Sequence, residues 1–363
     1  MDNLDNFEPV AKIVVIGVGG AGSNAVNRMI DENISCVHFY VANTDKQALI
    51  SSKADERIIL GEELTKGLGA GGEPEVGRLA AEASREKIRE IVKNADMVFI
   101  AAGMGGGTGT GAAPVIANVA KEEGALTIAI VTRPFSFEGK KRIAYSIEGL
   151  NNLKGQVDSI IVVSNDNLLM MNGQSSVQNA FEEADKVLAQ SVKTVTDLIL
   201  MPSVINLDFA DVKNTLKNSG ISLIGFGQGE GLNKAVDAAQ NAMASPLLET
   251  PIKGARRAIV SITCGASVSL FDAQNTVKSI IDATGEDVDI KFGIAINSKL
   301  DDQIMVSIIA TDFAEEYDFT AVPNYNRQII KQDNVDNEVA SNEEDTNNSN
   351  HSSILASFLK RED

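Results

Sequence analysis

The sequence predicts an α/β protein with a long helix between two sheet-forming units, and three observations predict it. Between Lys12 and about Asn165, short apolar runs rich in Val and Ile alternate with amphipathic stretches, so a mostly parallel sheet with helices on both faces is expected. One uninterrupted helical pattern follows. From about Ile221 strand and helix patterns resume as a second α/β unit, and past Tyr317 the patterning gives way to polar sequence.

Taken in order, residues 1–11 read as a flexible N-terminus, and "MDNLDNFEPVAK" lacks the basic start and apolar centre of a secretory signal. The strands of a Rossmann-like unit, residues 12–175, are "KIVVIGVG", "VHFYVANT", "RIILG", "MVFIAAG", "LTIAIVT" and "SIIVVSND". They are continuous apolar runs because a two-sided sheet covers both faces. In such a sheet ligands bind outside the carboxyl ends of the strands. Beyond the first four runs lie "GVGGAGSN" (Gly17 to Asn24), "NTD" (Asn43 to Asp45), "GAGG" (Gly69 to Gly72) and "GMGGGTGTGAAP" (Gly103 to Pro114). The fifth and sixth lead to "RPFSFEGKKR" (Arg133 to Arg142) and "NDN" (Asn165 to Asn167). Any one glycine loop is as readily a tight turn. Three on one rim suit a polyphosphate, because glycine lets backbone N–H groups approach a ligand and helix N-termini add partial positive charge.

Residues 176–201, "SSVQNAFEEADKVLAQSVKTVTDLILM", form one long helix with Val177, Phe181, Ala184, Leu188, Val192 and Val195 at helical spacing, stopped by Pro202. In the second unit, residues 202–316, "SVINLDFADVKNTLKNSG" is a loop entering a helix, and the strands are "SLIGFG", "RAIVSITC", "DIKFGIAIN" and "QIMVSIIATD". Helices are expected near Lys234 to Ala244 and Asp272 to Ala283. A short polar turn separates the last two strands, which predicts an antiparallel pair and a mixed sheet. Residues 317–350 have the Asn, Asp, Glu and Ser content of a disordered acidic linker, and 351–363 restore an apolar face in "ILASFLKRED".

The composition excludes several classes. Cys36 and Cys264 are too few for a disulfide framework, and with only His38 and His351 there is no Cys/His set at zinc spacing. No run approaches the ~18 apolar residues of a membrane span, so a cytoplasmic protein without membrane insertion is expected. A net charge of −18 opposes nucleic-acid binding.

Gly17, Gly19 and Gly22 with Asp45 match a dinucleotide fingerprint, which alone would make this an NAD-dependent oxidoreductase. That fold needs one glycine loop for its pyrophosphate and leaves "GMGGGTGTG" without work. No glycine run ends in Lys-Ser or Lys-Thr, so a P-loop is absent and backbone amides must hold the phosphates.

"GGGTGTG" (Gly105 to Gly111) and "NLDFAD" (Asn206 to Asp211), with "GVGGAGSNAVNRM", "VANTD", "GLGAGGEPEVGR", "TRPFSFEGKKR", "FADVK" and "SPLLE", stand in the order and spacing of one family. From about Lys12 to Thr311 the chain resembles the tubulin/FtsZ GTPases in their FtsZ form. The resemblance implies a GTP-binding domain and a GTPase that polymerises head-to-tail in the bacterial division ring, binding GTP or GDP with Mg2+, whose ligands stay open. It implies phosphate contacts from Gly19, Gly20, Ala21, Gly22, Asn24, Gly103, Gly105, Gly106, Gly107, Thr108 and Gly109, with Gly71 and Gly72 at the γ-phosphate end. Glu138, Arg142 and Asn43 would lie by the ribose and phosphates, Asn165 and Asp185 by the guanine edge, and Phe181 against the base. A carboxylate at 185 makes chemical sense, since it can accept from guanine N1–H and the exocyclic amine. Read from the residues alone, Asp185 and Phe181 are a solvated acid and a core aromatic on one helix.

The resemblance assigns catalysis to Asn206, Asp208 and Asp211. A helix of about 25 residues spans roughly 37 Å, so these groups reach the next subunit's nucleotide and not their own, and such a heterologous contact builds a filament. On the residues alone "NLDFAD" is an N-cap, with Asp208 capping and Asp211 favouring the helix dipole, and a GTP-binding module that does not assemble stays open. The resemblance also makes 354–361 a docking peptide for membrane-tethering division adaptors, which locates the protein at the division site. Ile354, Leu355, Phe358 and Leu359 share one helical face ahead of Lys360 and Arg361, without the family's usual proline after the isoleucine.

Overall fold

The computed structural model describes residues 11–171, 176–201, 203–248, 252, 254–284, 288–313 and 319. The first half runs β1 (Ile13–Val18), α1 (Gly19–Asp31), β2 (His38–Asn43), α2 (Lys46–Ile50), β3 (Glu56–Ile59), α3 (Glu62–Thr65), α4 (Pro74–Ala83), α5 (Arg85–Val92), β4 (Met97–Gly103), α6 (Thr108–Glu122), β5 (Leu126–Arg133), α7 (Lys140–Lys154), β6 (Ser159–Ser164) and α8 (Asn165–Met171). Then come α9 (Val177–Leu200), α10 (Phe209–Leu216), β7 (Gly220–Gly229), α11 (Lys234–Met243), β8 (Ala255–Cys264), α12 (Leu270–Thr284), β9 (Asp289–Ile296) and β10 (Ile304–Phe313). Strands β1, β5 and β6 are buried at every residue, as unbroken Val/Ile runs on a two-sided sheet should be.

All ten of these strands join one sheet in the order β3-β2-β1-β4-β5-β6-β7-β10-β8-β9. From β3 to β7 every neighbour is parallel. The order reverses between β1 and β4, the switch point at which open α/β sheets bind ligands. The two halves share this sheet through a short ladder of three pairs, Ser159↔Gly220, Ile160↔Ile221 and Ile161↔Ser222. Polar groups reinforce the ladder. The Ser159 and Ser222 hydroxyls share a 2.7 Å hydrogen bond, and Ser222 Oγ donates to Thr311 Oγ1 at 2.7 Å. The carboxylate of buried Asp158 accepts from Thr127 N at 2.9 Å, and its carbonyl accepts from Gly220 N at 3.0 Å.

One face of the sheet is covered by α1 and α9. Val187, Leu188, Val192 and Val195 of α9 pack in a single core with Phe99 and Ile130 of the first half and Ile224, Phe226 and Ile309 of the second. Each such side chain contributes roughly 1.5–3 kcal/mol on burial. The helix starts where Ser176 Oγ accepts from Asn179 N at 3.2 Å and spans the predicted segment. The first ten residues, Pro202, the 354–361 peptide and all of the expected acidic linker except Phe319 lie outside the described residues. Phe319 is buried in the core with Ile160 and Ile221, so the folded unit extends past the expected boundary at 316.

One expectation is corrected. The last two strands do not pair with each other, because β8 lies between them, parallel to β9 and antiparallel to β10. The connection 297–303 crosses the end of β8, where Asn297 N donates to Cys264 O at 2.8 Å and Gly265 N to Gln303 O at 2.9 Å. Two strand spacings are only about 10 Å, well within reach of that segment. The sheet is mixed as expected, by a different pairing.

Asp158→Ala should lower stability by about 1–3 kcal/mol in urea unfolding, because it strips the acceptor from the buried Thr127 N–H at the joint.

Candidate functional site

Two helix N-termini meet at the switch point. α1 leaves β1 without an intervening loop, and α6 starts after the glycine turn that follows β4. A Cβ on Gly17 would stand 2.3 Å from Gly22 O, and one on Gly22 would stand 2.2 Å from Ala101 O, so both glycines are required for α1 to lie on the sheet. Gly19, at φ 73°, sits with its absent Cβ 2.9 Å from Gly109 N, which brings the α1 and α6 termini into contact. Neither helix has an acid in its first turn, so both dipoles stay available to an anion.

These termini floor a cavity of about 290 Å³ lined by Gly19, Gly20, Ala21, Gly103, Gly106, Gly107, Thr108 and Gly109 at one end. Asn165 of α8 and Phe181, Ala184 and Asp185 of α9 line the other end, and Glu138 and Arg142 complete the lining. The two ends differ chemically. At the second, Asn165 Oδ1 is buried without a hydrogen-bond partner, an acceptor suited to a ligand donor. Burial pushes the Asp185 carboxyl up to about 7, Glu182 adds to the rise, and Arg28 opposes it. The Phe181 ring stands edge-on to the buried Phe135 ring at 5.0 Å and is itself 41% exposed. Phe135 also stacks on Phe137, so the edge of this end is an aromatic group that composition alone did not reveal.

Other expected residues serve the frame. Asn43 is buried, and its Oδ1 accepts from Asp45 N at 3.2 Å. Gly22 packs on β4, Asn24 is exposed on α1, and Gly105 sits where a Cβ would be 2.7 Å from Arg142 O. Gly71 and Gly72 are exposed in the loop before α4, outside the cavity lining. Glu138 accepts from Phe135 N at 2.9 Å and pairs with Arg142. The Thr44 and Thr108 hydroxyls share a 2.7 Å bond, a contact the spacing did not signal.

A model of the tubulin/FtsZ family GTPase domain matches residues 12–173, and one of the FtsZ family C-terminal domain matches 220–314. An empty FtsZ dimer from M. jannaschii is 40% identical over 83% of this chain and 88% of that one, with a TM-score of 0.79. A point mutant of M. jannaschii FtsZ is likewise 40% identical, over 85% and 94%, with a TM-score of 0.81. The chain belongs to the tubulin/FtsZ family. GDP-bound CetZ1 from Haloferax volcanii shares the fold at 21% identity, over 90% of this chain and 100% of that one, with a TM-score of 0.73.

Membership makes this FtsZ-type chain a GTPase that binds GTP and GDP. The nicotinamide alternative also loses its acid, since Asp45 Oδ1 caps α2 by accepting from Gln47 N at 2.8 Å. The FtsZ-type "NLDFAD" segment lies at the other end of α9, whose 24 residues span roughly 36 Å. There Asp208 caps α10, its Oδ1 accepting from Asp211 N at 2.7 Å. Asn206 and Asp208 are exposed and Asp211 half-buried. The predicted nucleotide and catalytic residues are thus not gathered into one place within a single FtsZ-type chain.

Were guanine to donate to both oxygens of Asp185 the group would have to be ionised, and GTP affinity would then rise from pH 6 to 8 in wild type and not in Asp185→Asn in a binding titration. The folded Asp185 holds its proton to about pH 7, against an ordinary value of 3.8. Stability therefore falls as pH climbs between those values. Asp185→Asn should in consequence be the more stable protein at pH 8 in urea unfolding.

Proposed function

We propose that this protein is a GTP-dependent, head-to-tail polymerising cytoskeletal GTPase of the bacterial division ring, in which Asn206, Asp208 and Asp211 of one subunit complete the nucleotide pocket of the next. The observation that carries the reading is a separation. The pocket has phosphate donors, but of the two carboxylates in its lining Glu138 is engaged by Arg142, and Asp185 stands on α9 beside Phe181 and Ala184. The exposed Asp208 and half-buried Asp211 stand a helix-length away, near an apolar surface that includes Val204 and Ile296. At the pocket rim Leu68 and Phe137 are exposed to match. The M. jannaschii FtsZ dimer supports self-association of a chain of this kind.

In this reading guanine donors meet Asn165 Oδ1 and Asp185, and the base lies against Phe181. The phosphates lie on the amides of Gly19 to Gly22 and Gly103 to Gly109 with the Thr108 hydroxyl, and Glu138, Arg142 and Asn43 border the ribose. Phosphoryl transfer is largely positioning and electrostatics, so a pocket of amides and helix termini can hold GTP without hydrolysing it. The partner's loop supplies what is missing, carboxylates that orient water in line with the γ-phosphate. Capping its own helix fixes the Asp208 carboxylate in one orientation for that task. Among the described residues no group of three or more His, Cys, Asp or Glu side chains could hold a metal ion. Magnesium fits here only as the companion of the triphosphate, where it would neutralise phosphate charge. The 354–361 segment would join the polymer to membrane-tethering adaptors at the cytoplasmic division site.

Complementation tests the shared site. Asp208→Ala should bind GTP and hydrolyse little, and Asp185→Ala should be nearly silent at GTP concentrations too low to fill its pocket. Mixed, they should exceed both parents in GTPase activity, with a threshold in total protein. Mutants that co-sediment yet show no more than their mean activity would refute the mechanism. Ending the chain after Phe319, whose ring is buried in the core with Ile160 and Ile221, should leave GTP hydrolysis and light-scattering assembly largely intact while abolishing adaptor binding in pull-downs.

A further inference from the structure

The three residues "NTD" at the end of β2, Asn43 to Asp45, divide three tasks. Asn43 Oδ1 accepts from Asp45 N at 3.2 Å and turns the chain, and Asp45 Oδ1 caps α2 by accepting from Gln47 N at 2.8 Å. Thr44 between them is closed to solvent. Its carbonyl accepts from Gly69 N at 3.1 Å and from Thr65 Oγ1 at 3.3 Å, which fixes its backbone against α3 and the segment after it. The side chain crosses to α6, where Thr44 Oγ1 and Thr108 Oγ1 lie 2.7 Å apart. Thr108 is the first residue of that helix and lines the nucleotide cavity beside Gly19, whose absent Cβ would stand 3.5 Å from Thr108 Cβ.

The direction of the hydroxyl bond follows from burial. Among the described residues Thr44 Oγ1 has no hydrogen-bond partner besides Thr108 Oγ1. A hydroxyl carries one proton and two lone pairs. Were Thr108 to donate, the Thr44 proton would be sealed in the core without an acceptor, an arrangement that folded proteins avoid. Thr44 therefore donates. Thr108 is half-buried, and by accepting on its buried side it keeps its own proton for the side that lines the cavity. A donor there is what a phosphate requires, because ionised phosphate oxygens only accept. A hydroxyl that already accepts a hydrogen bond is also polarised into a stronger donor.

We propose that Thr44 is a positioning residue for the nucleotide phosphates: its buried hydroxyl donates to Thr108 Oγ1 and so commits the Thr108 proton to a phosphate oxygen in the cavity. The proposal rests on the reading of this cavity as the GTP pocket. Thr44 touches no ligand itself, since it is buried behind Thr108 and outside the cavity lining. With the bond removed, the Thr108 hydroxyl is free to turn, and binding must order it each time a nucleotide enters. The effect therefore belongs to the phosphates of the ligand and not to its base. A structural role for Thr44 would act otherwise, because a disturbed corner between β2 and α6 would weaken every part of the ligand alike.

The test uses the full chain, with GDP affinity measured by calorimetry and guanosine affinity by displacement of a fluorescent GDP. Thr44→Val keeps the side-chain shape without the hydroxyl and should weaken GDP about two- to ten-fold while leaving guanosine unchanged. Thr44→Ser restores the donor and should return GDP affinity to within about two-fold of wild type. In a Thr108→Val background Thr44→Val should have no further effect on GDP, because both act through the same proton. Thr44→Ala carries the comparison should Thr44→Val fail to fold in a urea titration. Equal losses for GDP and guanosine, unchanged GDP affinity in the folded variant, or a Thr44→Ser no better than Thr44→Val would overturn the positioning role. Wild-type protein that binds no GDP, or Thr108→Val that binds it as wild type does, would overturn the placement of phosphate in this cavity, and this role with it.

Discussion

The nucleotide site depends on how closely backbones can approach one another. For the N-termini of α1 and α6 to converge over the carboxyl ends of β1 and β4, α1 must lie on the sheet at backbone contact, and α6 must do the same against α4. Gly111 gives the measure, since a Cβ there would stand 1.9 Å from Pro74 O. Any side chain at such a position would push a helix off by an amount comparable to the tolerance of a phosphate hydrogen bond. The cradle is therefore a packing result before it is a chemical one, and its anion affinity comes from amides and dipoles that the packing aims.

A second constraint is length. α9 packs one apolar face against the cores of both halves, so it acts as a rod with the pocket at its N-terminal end and the "NLDFAD" segment at the other. The β6–β7 ladder and the hydroxyls of Ser159, Ser222 and Thr311 carry the sheet across the joint, so the halves are joined by strand hydrogen bonds as well as by helix packing. In the proposed mechanism this rigid separation of donors from acids would leave the pocket chemically incomplete in one subunit. Hydrolysis would then be coupled to association, because a neighbour would supply the carboxylates.

Electrostatics divides the cavity. The glycine end has amides and no acid in the first helical turns, while the other end has a carboxyl, Asp185, that burial pushes up to about 7. Arg28, in an ion pair with Glu32 on α1, keeps that carboxyl from rising further.

Much of this was legible in the sequence. Val/Ile runs followed by glycine loops specify a parallel sheet with a phosphate rim, because strand burial and close approach are properties of residue type and order. The apolar stripe from Phe181 to Val195 specifies the long helix for the same reason. Sequence alone could not decide what depends on which surfaces meet. It paired the last two strands, because a short polar turn suggests a hairpin, whereas β8 enters between them through contacts distant in the chain. It left Asp185 as either a solvated acid or a ligand group, and burial beside Arg28 was settled only by the packing of α1 on α9. It gave no hint that Glu73 would leave its own helix for Lys141 and Tyr145, 68 and 72 residues away. Local pattern determines which elements form and which face they bury. Long-range packing decides which polar groups are brought together, because those distances are set by the whole core and by no single segment.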